Sequence, residues 1–276
     1  MEKLHDLAIV LRWVPFEDRH KIVTLLTEKY GKISALARNS IHSKRYGGAL
    51  EPFAASDLIF VERHGADLYR IEQATIRKCF DHLFNDFERF SLASLLNEIM
   101  LRIAPERQVC SDLFRLHSNA LSILNEMKEP GSELFLLNLY LAKILQWSGS
   151  QPRLQNCQGC GLSLDVLPAQ CTIHCLISDA GWVCDDCRSL KTHHVQNLKL
   201  LKITGLALKD LHQGISLPLR QAVTVLRASP QEHRALYLFL EALFIYHLPG
   251  FGEKPLKSLR FLGLESNVQP HLSGLR

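Results

Sequence analysis

Apolar positions in the first eighty residues fall in short runs without helical spacing. Leu7-Ala8-Ile9-Val10-Leu11 is one such run, and the β-branched Ile22-Val23-Thr24-Leu25-Leu26-Thr27 is a second. Glu28-Lys29-Tyr30-Gly31-Lys32 reads as a turn, with glycine where a positive φ is needed, and Ile33-Ser34-Ala35-Leu36-Ala37 returns as the other arm of a hairpin. Residues 57–63 and 68–74 form a second strand pair around His64-Gly65-Ala66-Asp67. Five short strands in this space predict a small closed barrel of the OB-fold type, with a helix over 20–30 as the competing assignment.

After Phe80 the period changes. Leu92, Leu95, Leu96, Ile99, Met100 and Ile103 recur at i, i+3, i+4, i+7, i+8 and i+11, a single helical stripe that ends before Pro105. Leu113, Leu116, Ala120, Leu121, Leu124 and Met127 repeat it as far as Pro130-Gly131. Residues 134–147 are apolar on most faces, which predicts the central helix of a bundle. The apolar stretch from Ala235 to Leu248 is interrupted by Glu241 and is shorter than the roughly 20 residues a membrane span needs, so it reads as a buried helix. Glu253 to Leu262 reads as a short amphipathic helix after the Pro249-Gly250-Phe251-Gly252 break. The expected fold is α+β and multidomain: an OB-fold barrel over 1–80 and an α-helical domain over 81–276.

Composition narrows the choice of function. With 276 residues, 47% of them hydrophobic, the chain can bury a full core, and a net charge of only +4 means that any nucleic-acid surface depends on local clustering. Met1 to Asp6 carries acids and only a short apolar run precedes Arg12, unlike a signal peptide, so a cytoplasmic protein is expected. In a reducing compartment eight cysteines point to metal rather than to disulfides.

Cys157-Gln-Gly-Cys160 and Cys184-Asp-Asp-Cys187 form two Cys-x-x-Cys pairs, each able to present two thiolates from one tight turn. Glycines 159 and 161 let the backbone fold around an ion, and residues 170–183 supply a hairpin turning at Asp179-Ala180-Gly181. The expected site, over 154–190, is a structural Zn2+ held by Cys157, Cys160, Cys184 and Cys187. Cys171, Cys175, His174, His193 and His194 are possible substitutes. No His-Glu-x-x-His pattern or deaminase signature supports zinc catalysis.

From Lys29 to Leu50 the sequence holds five basic residues (29, 32, 38, 44 and 45) and no acid, a local positive field in which Tyr46 offers a ring for base stacking. A solvated loop is the alternative. From Arg188 to Pro230 seven basic residues face one acid, Asp210; this region either extends a nucleic-acid path, receives an acidic protein tail, or forms lysine-rich outer helix faces.

Several stretches together resemble RecO, the bacterial recombination mediator family of the RecF pathway. They are Ala8 to Arg12, Lys21 to Thr27 with Gly31-Lys32-Ile33, Tyr46-Gly47-Gly48-Ala49-Leu50-Glu51-Pro52-Phe53, and Leu256-Lys257-Ser258 with Arg260-Phe261-Leu262; the four outer cysteines match a zinc site found in many members. The resemblance implies a non-enzymatic, cytoplasmic and nucleoid-associated protein that binds single- and double-stranded DNA and anneals strands. With RecR it would help load RecA on DNA coated by single-stranded-DNA-binding protein, whose acidic C-terminal tail it would contact. The DNA-binding set expected on this reading is Arg12, Lys29, Lys32, Arg38, Lys44, Arg45 and Tyr46. The family often carries a Lys-Gly followed by further basic residues where this chain has Ala37-Arg38-Asn39-Ser40-Ile41-His42, which shifts weight to Lys44, Arg45 and the later basic region. A protein-interaction adaptor with little direct DNA binding is the rival reading, and a nuclease ranks third for want of a carboxylate cluster.

Overall fold

The computed structural model describes residues 2–42, 44–62, 67–127, 131–191, 201–225 and 227–264. Strands β1 (Lys3–Phe16), β2 (His20–Thr27), β3 (Gly31–Ala37), β4 (Ala55–Val61) and β5 (Tyr69–Lys78) close into a barrel in the order β1-β2-β3-β5-β4. The competing helix over 20–30 is therefore strand β2. β1 serves two neighbours: Lys3 to Ile9 pair with β4, and Ala8 to Phe16 with β2. A bulge between Val10 and Arg12 bends the strand from one partner to the other, the means by which a long strand closes a small barrel.

The bend is held from outside the sheet. Asn97, buried on α1 (Phe87–Ile103), donates through Nδ2 to the carbonyls of Val10 and Leu11 at 3.3 and 2.8 Å. Its Oδ1 lies 3.0 Å from Nε2 of His117 on α2 (Ser111–Glu126), so the neutral imidazole donates there. Burial lowers the His117 pKa from its ordinary 6.5 to about 3. α1 packs on β1 and α2 on β2, which accounts for the burial of Ile9, Leu11 and Leu26.

β3 alternates buried and half-exposed positions along its whole length, as a strand with one face in the core must. It meets β5 in parallel only at Ala35 and Leu36. The loop after α1 covers its other half: the Lys32 amide donates to the Pro105 carbonyl at 3.1 Å, and the Arg107 amide to the Lys32 carbonyl at 3.0 Å. A free strand edge is thereby capped. Gly31 sits at φ +67 beneath this loop, where an added Cβ would lie 2.0 Å from the Gln108 carbonyl oxygen.

By packing, the chain to Met127 forms one unit to which Leu256–Leu262 returns, and the residues between and beyond form a second. The return is not the expected amphipathic helix. Two 3-10 turns, Phe251–Glu253 and Lys257–Leu262, are separated at Pro255, which has no amide to donate to a continuing helix. The amides of Lys257 and Ser258 instead donate to the Glu98 carboxylate on α1, at 2.9 and 3.0 Å.

The second unit contains α3 (Glu133–Trp147), β6 (Thr172–Leu176), β7 (Gly181–Val183), α4 (Asp185–Lys191), β8 (Lys202–Thr204), α5 (Gly205–Ser216), α6 (Leu219–Ala222) and α7 (Pro230–His247). α3 is buried on nearly every face and packs against α5 and α7, as its unbroken apolar run predicts. α7 starts at a capping box in which Ser229 and Glu232 satisfy each other's amides. β7, β6 and β8 form a three-stranded sheet, with β6 and β7 turning at residues 177–180.

Two outcomes are expected. Gly31→Ala loses more than about 1 kcal/mol of stability in urea unfolding, because the site combines a left-handed backbone with a blocked Cβ. The His117 contribution is fully present above pH 6.5 and lost as pH falls toward about 3, because the unfolded chain takes up a proton that the native core refuses. Stability measured against pH should fall there by up to about 1.4 kcal/mol per unit more steeply than in His117→Gln.

Candidate nucleic-acid surface and metal centre

The barrel distributes the expected DNA-binding residues unevenly. Lys29 and Lys32 stand at the start of β3, whereas Arg38, Lys44 and Arg45 follow its end; six strand steps separate those ends by about 20 Å. Arg12 is exposed on the outer wall, paired with Thr24, with its Nε 3.5 Å from Thr24 Oγ1. The seven residues therefore do not make one patch.

Two of them are committed to the fold. The Lys32 ammonium donates to the Leu101 carbonyl at 2.7 Å and faces Glu106 at 3.8 Å, with 11% of its side chain exposed; burial lowers its pKa. Tyr46 is only 6% exposed and belongs to the barrel core with Leu50, Phe60 and Tyr69. Its hydroxyl donates to the Ile71 carbonyl at 3.4 Å, and the Arg45 guanidinium lies 5.2 Å from its ring centre. The expectation of base stacking on Tyr46 is corrected, since a ring plugging the barrel has no face to offer.

The stretch from Tyr46 to Phe53 is thus a plug. Glu51, at its far end, accepts from the Trp13 indole at 2.9 Å and from the buried Lys21 ammonium at 2.6 Å, while Lys21 stacks 4.0 Å from the Trp13 ring centre. Phe53 packs between Phe84 and Phe90.

Arg19 joins the exposed cations at the far end of β3. Its carbonyl accepts from the amides of Ser40 and Ile41 at 2.8 and 3.2 Å, and the Asn39 amide donates to His20 Nδ1, so the β1–β2 turn lies against the segment that follows Arg38. Charge counting missed Arg19 because Glu17 and Asp18 precede it. Arg45 also donates to the Glu72 carbonyl at 3.0 Å, which fixes it on the barrel rim.

Two cations of the second basic region are tied to the fold. Lys209 donates to the carbonyls of Asp165 and Leu167 at 3.0 and 2.6 Å, and Arg227 bonds the fully buried Asp210. Lys199, His193 and His194 lie outside the described residues.

The four outer cysteines converge as their spacing requires. Among the described residues Cys157, Cys160, Cys184 and Cys187 bring their sulfurs within 4.8 Å of one another, a set that can hold a metal ion. The Cys184 sulfur lies 3.8 Å from that of Cys157 and 3.8 Å from that of Cys160. The first knuckle is fastened to β7 by the Gln158 amide, which donates to the Trp182 carbonyl at 2.9 Å, and Trp182 donates to the Leu154 carbonyl at 2.7 Å. At Gly159 a Cβ would lie 2.7 Å from the Cys187 sulfur, so only glycine lets the two knuckles meet.

Burial opposes ionisation of Cys157, but the amides of Cys160, Cys184 and Gly159 outweigh it and bring its pKa down to about 6. The thiols of Cys160 and Cys184 push Cys187 up to about 12, and burial raises Cys184. A cation among the sulfurs is what allows all four to ionise together. Cys171, Cys175 and His174 lie outside this set: burial raises both thiols, and His174 bonds Asp185 at 2.5 Å. Cys187→Ser should therefore lose bound metal and lower the melting temperature together, whereas Cys171→Ser retains both, as metal analysis and thermal unfolding of the purified chain would show.

Comparison with known proteins agrees with this arrangement. The family model for the recombination protein O N terminal matches residues 1–80, and that for its C terminal matches residues 85–260. A DNA repair protein RecO from Caldanaerobacter subterraneus subsp. tengcongensis is 30% identical over 219 residues, covering 78% of this chain and 84% of its own. Another, from Desulforamulus reducens, is 28% identical over 256 residues and 92% of each chain. With a barrel and a helical region both matched, the chain belongs to the RecO family.

Proposed function

We propose that this chain is a non-enzymatic mediator of DNA repair and homologous recombination. It binds single- and double-stranded DNA, anneals complementary strands and, with RecR, helps load RecA on DNA coated by single-stranded-DNA-binding protein, whose acidic tail it contacts. It acts in the cytoplasm at the nucleoid; among the described residues no helix is long and apolar enough to cross a membrane. The observation that carries the reading is the barrel end at which Arg19, Arg38, Lys44 and Arg45 are all exposed. Such a cationic rim on an OB-type barrel suits a phosphate backbone. With Tyr46 withdrawn into the core, affinity rests on phosphate contacts, which carry little base preference.

The metal we propose is zinc in a structural role. Zn–S bonds of about 2.3 Å place tetrahedral sulfurs about 3.8 Å apart, the separation of the Cys184 sulfur from those of Cys157 and Cys160. Four thiolates leave no position for a reacting water, so the ion would brace the knuckles rather than catalyse.

The adaptor reading draws on a different observation: Phe84, Phe87, Phe90 and Phe261 are exposed on the first unit, with Phe84 against Phe90 and Phe87 against Phe261. Titration of labelled single-stranded DNA at several salt concentrations separates the two. Lys44→Ala with Arg45→Ala should weaken binding and reduce the salt slope by about 1.4, roughly 0.7 for each lost phosphate contact, while Lys29→Ala leaves the slope unchanged. An unchanged slope in the double variant would remove the rim from the DNA path, and negligible DNA affinity beside tight binding of an acidic tail peptide would favour the adaptor.

A further inference from the structure

We propose that His174 and Asp185 form a clamp that holds the second Cys-x-x-Cys turn in its metal-binding conformation, so that metal retention depends on two side chains that are not themselves ligands. The inference rests on the reading of the four cysteines as a zinc site. His174 lies on β6, directly opposite Val183 of β7, the residue before Cys184. Its ring is 1% exposed, and Nε2 is 2.5 Å from Oδ1 of Asp185. Asp185 opens α4 between the ligands Cys184 and Cys187, with its own side chain 69% exposed.

A carboxylate only accepts, so the proton of this bond sits on His174 Nε2. Nδ1 is buried without a hydrogen-bond partner among the described residues. Burying an imidazole in that state is unfavourable on packing grounds alone. The compensating contact is the one to Asp185, which ties an exposed turn to a buried strand. The rest of that turn hangs on backbone bonds: the Cys184 amide donates to the Cys157 sulfur at 3.4 Å, and the Arg188 amide donates to the Cys184 carbonyl at 3.1 Å. The clamp adds a side-chain bond from Asp185 to the buried strand and fixes the dihedral angles that aim both sulfurs. Groups that hydrogen-bond metal ligands directly change metal affinity by about 10- to 100-fold, and a bond one residue removed from Cys184 acts in the same direction.

The test is competition for zinc between the purified full-length chain and a chromophoric chelator, run on wild type, Asp185→Ala, His174→Phe and the double variant. Each single variant should weaken zinc binding by about 10-fold or more, and the double variant should be no weaker than the worse single, since both remove one bond. Asp185→Ala strips the buried His174 ring of its hydrogen-bond partner, so its zinc-free form should melt below the zinc-free wild type, whereas His174→Phe removes the buried polar ring itself and should not show that loss. Wild-type affinity in both single variants, or losses that simply add in the double, would overturn the clamp while leaving the zinc site standing. A wild-type chain that takes up no zinc would overturn both.

Discussion

Two carbonyl oxygens at the bend of β1 set the terms for the first unit. A barrel of five short strands closes only because one long strand pairs on both sides, and its bulge turns the Val10 and Leu11 carbonyls toward Asn97. The Val10 carbonyl also accepts from the Phe53 amide at 2.9 Å, so it is the Leu11 carbonyl, at the bulge, that depends most on Asn97, and a buried acceptor left unpaired costs about 1–3 kcal/mol. His117 in turn must stay neutral to hold the amide in place. The helices after the barrel are therefore part of its closure, and α1 is also where Glu98 receives the returning segment at Lys257 and Ser258.

Much of this was legible in the sequence because period and burial coincide. β3 alternates strictly, α3 is apolar on most faces, and the two Cys-x-x-Cys pairs impose a distance constraint that no other residues relax. What was hidden depends on partners far away in the chain. Tyr46 sits among basic residues and reads as surface, yet the barrel needs a large ring to fill its end, and composition does not record which side of a loop faces inward. Lys32 looks like a phosphate ligand until the loop at 105–107 folds over it. Arg19 is invisible to charge counting because two acids precede it, and only the pairing of its carbonyl with Ser40 and Ile41 carries it to the rim. The C-terminal turn fails as a helix because of Pro255, a breaker in plain view whose effect was outweighed by the amphipathic pattern around it.

A shared logic runs through both units: charged and polar side chains that look available are spent on the backbone. Lys143 caps the end of α5 through the Ile215 and Leu217 carbonyls, Lys209 pins the loop at Asp165 and Leu167, and Asp210 holds the amides of Arg227 and Ala228. Such bonds replace water lost on burial. The cations left exposed at the barrel rim are correspondingly few, which makes their grouping more informative than the total charge of the chain.

The return of Leu256–Leu262 to the first unit makes residues 128–255 of the second a long insertion within it. During synthesis, the barrel and its two helices emerge well before the segment that occupies the Glu98 carboxylate. The first unit can gather its core early, but it reaches its final form only after the insertion too has left the ribosome. A nascent protein halted anywhere in the insertion therefore carries an α1 whose Glu98 carboxylate still lacks the amides of Lys257 and Ser258.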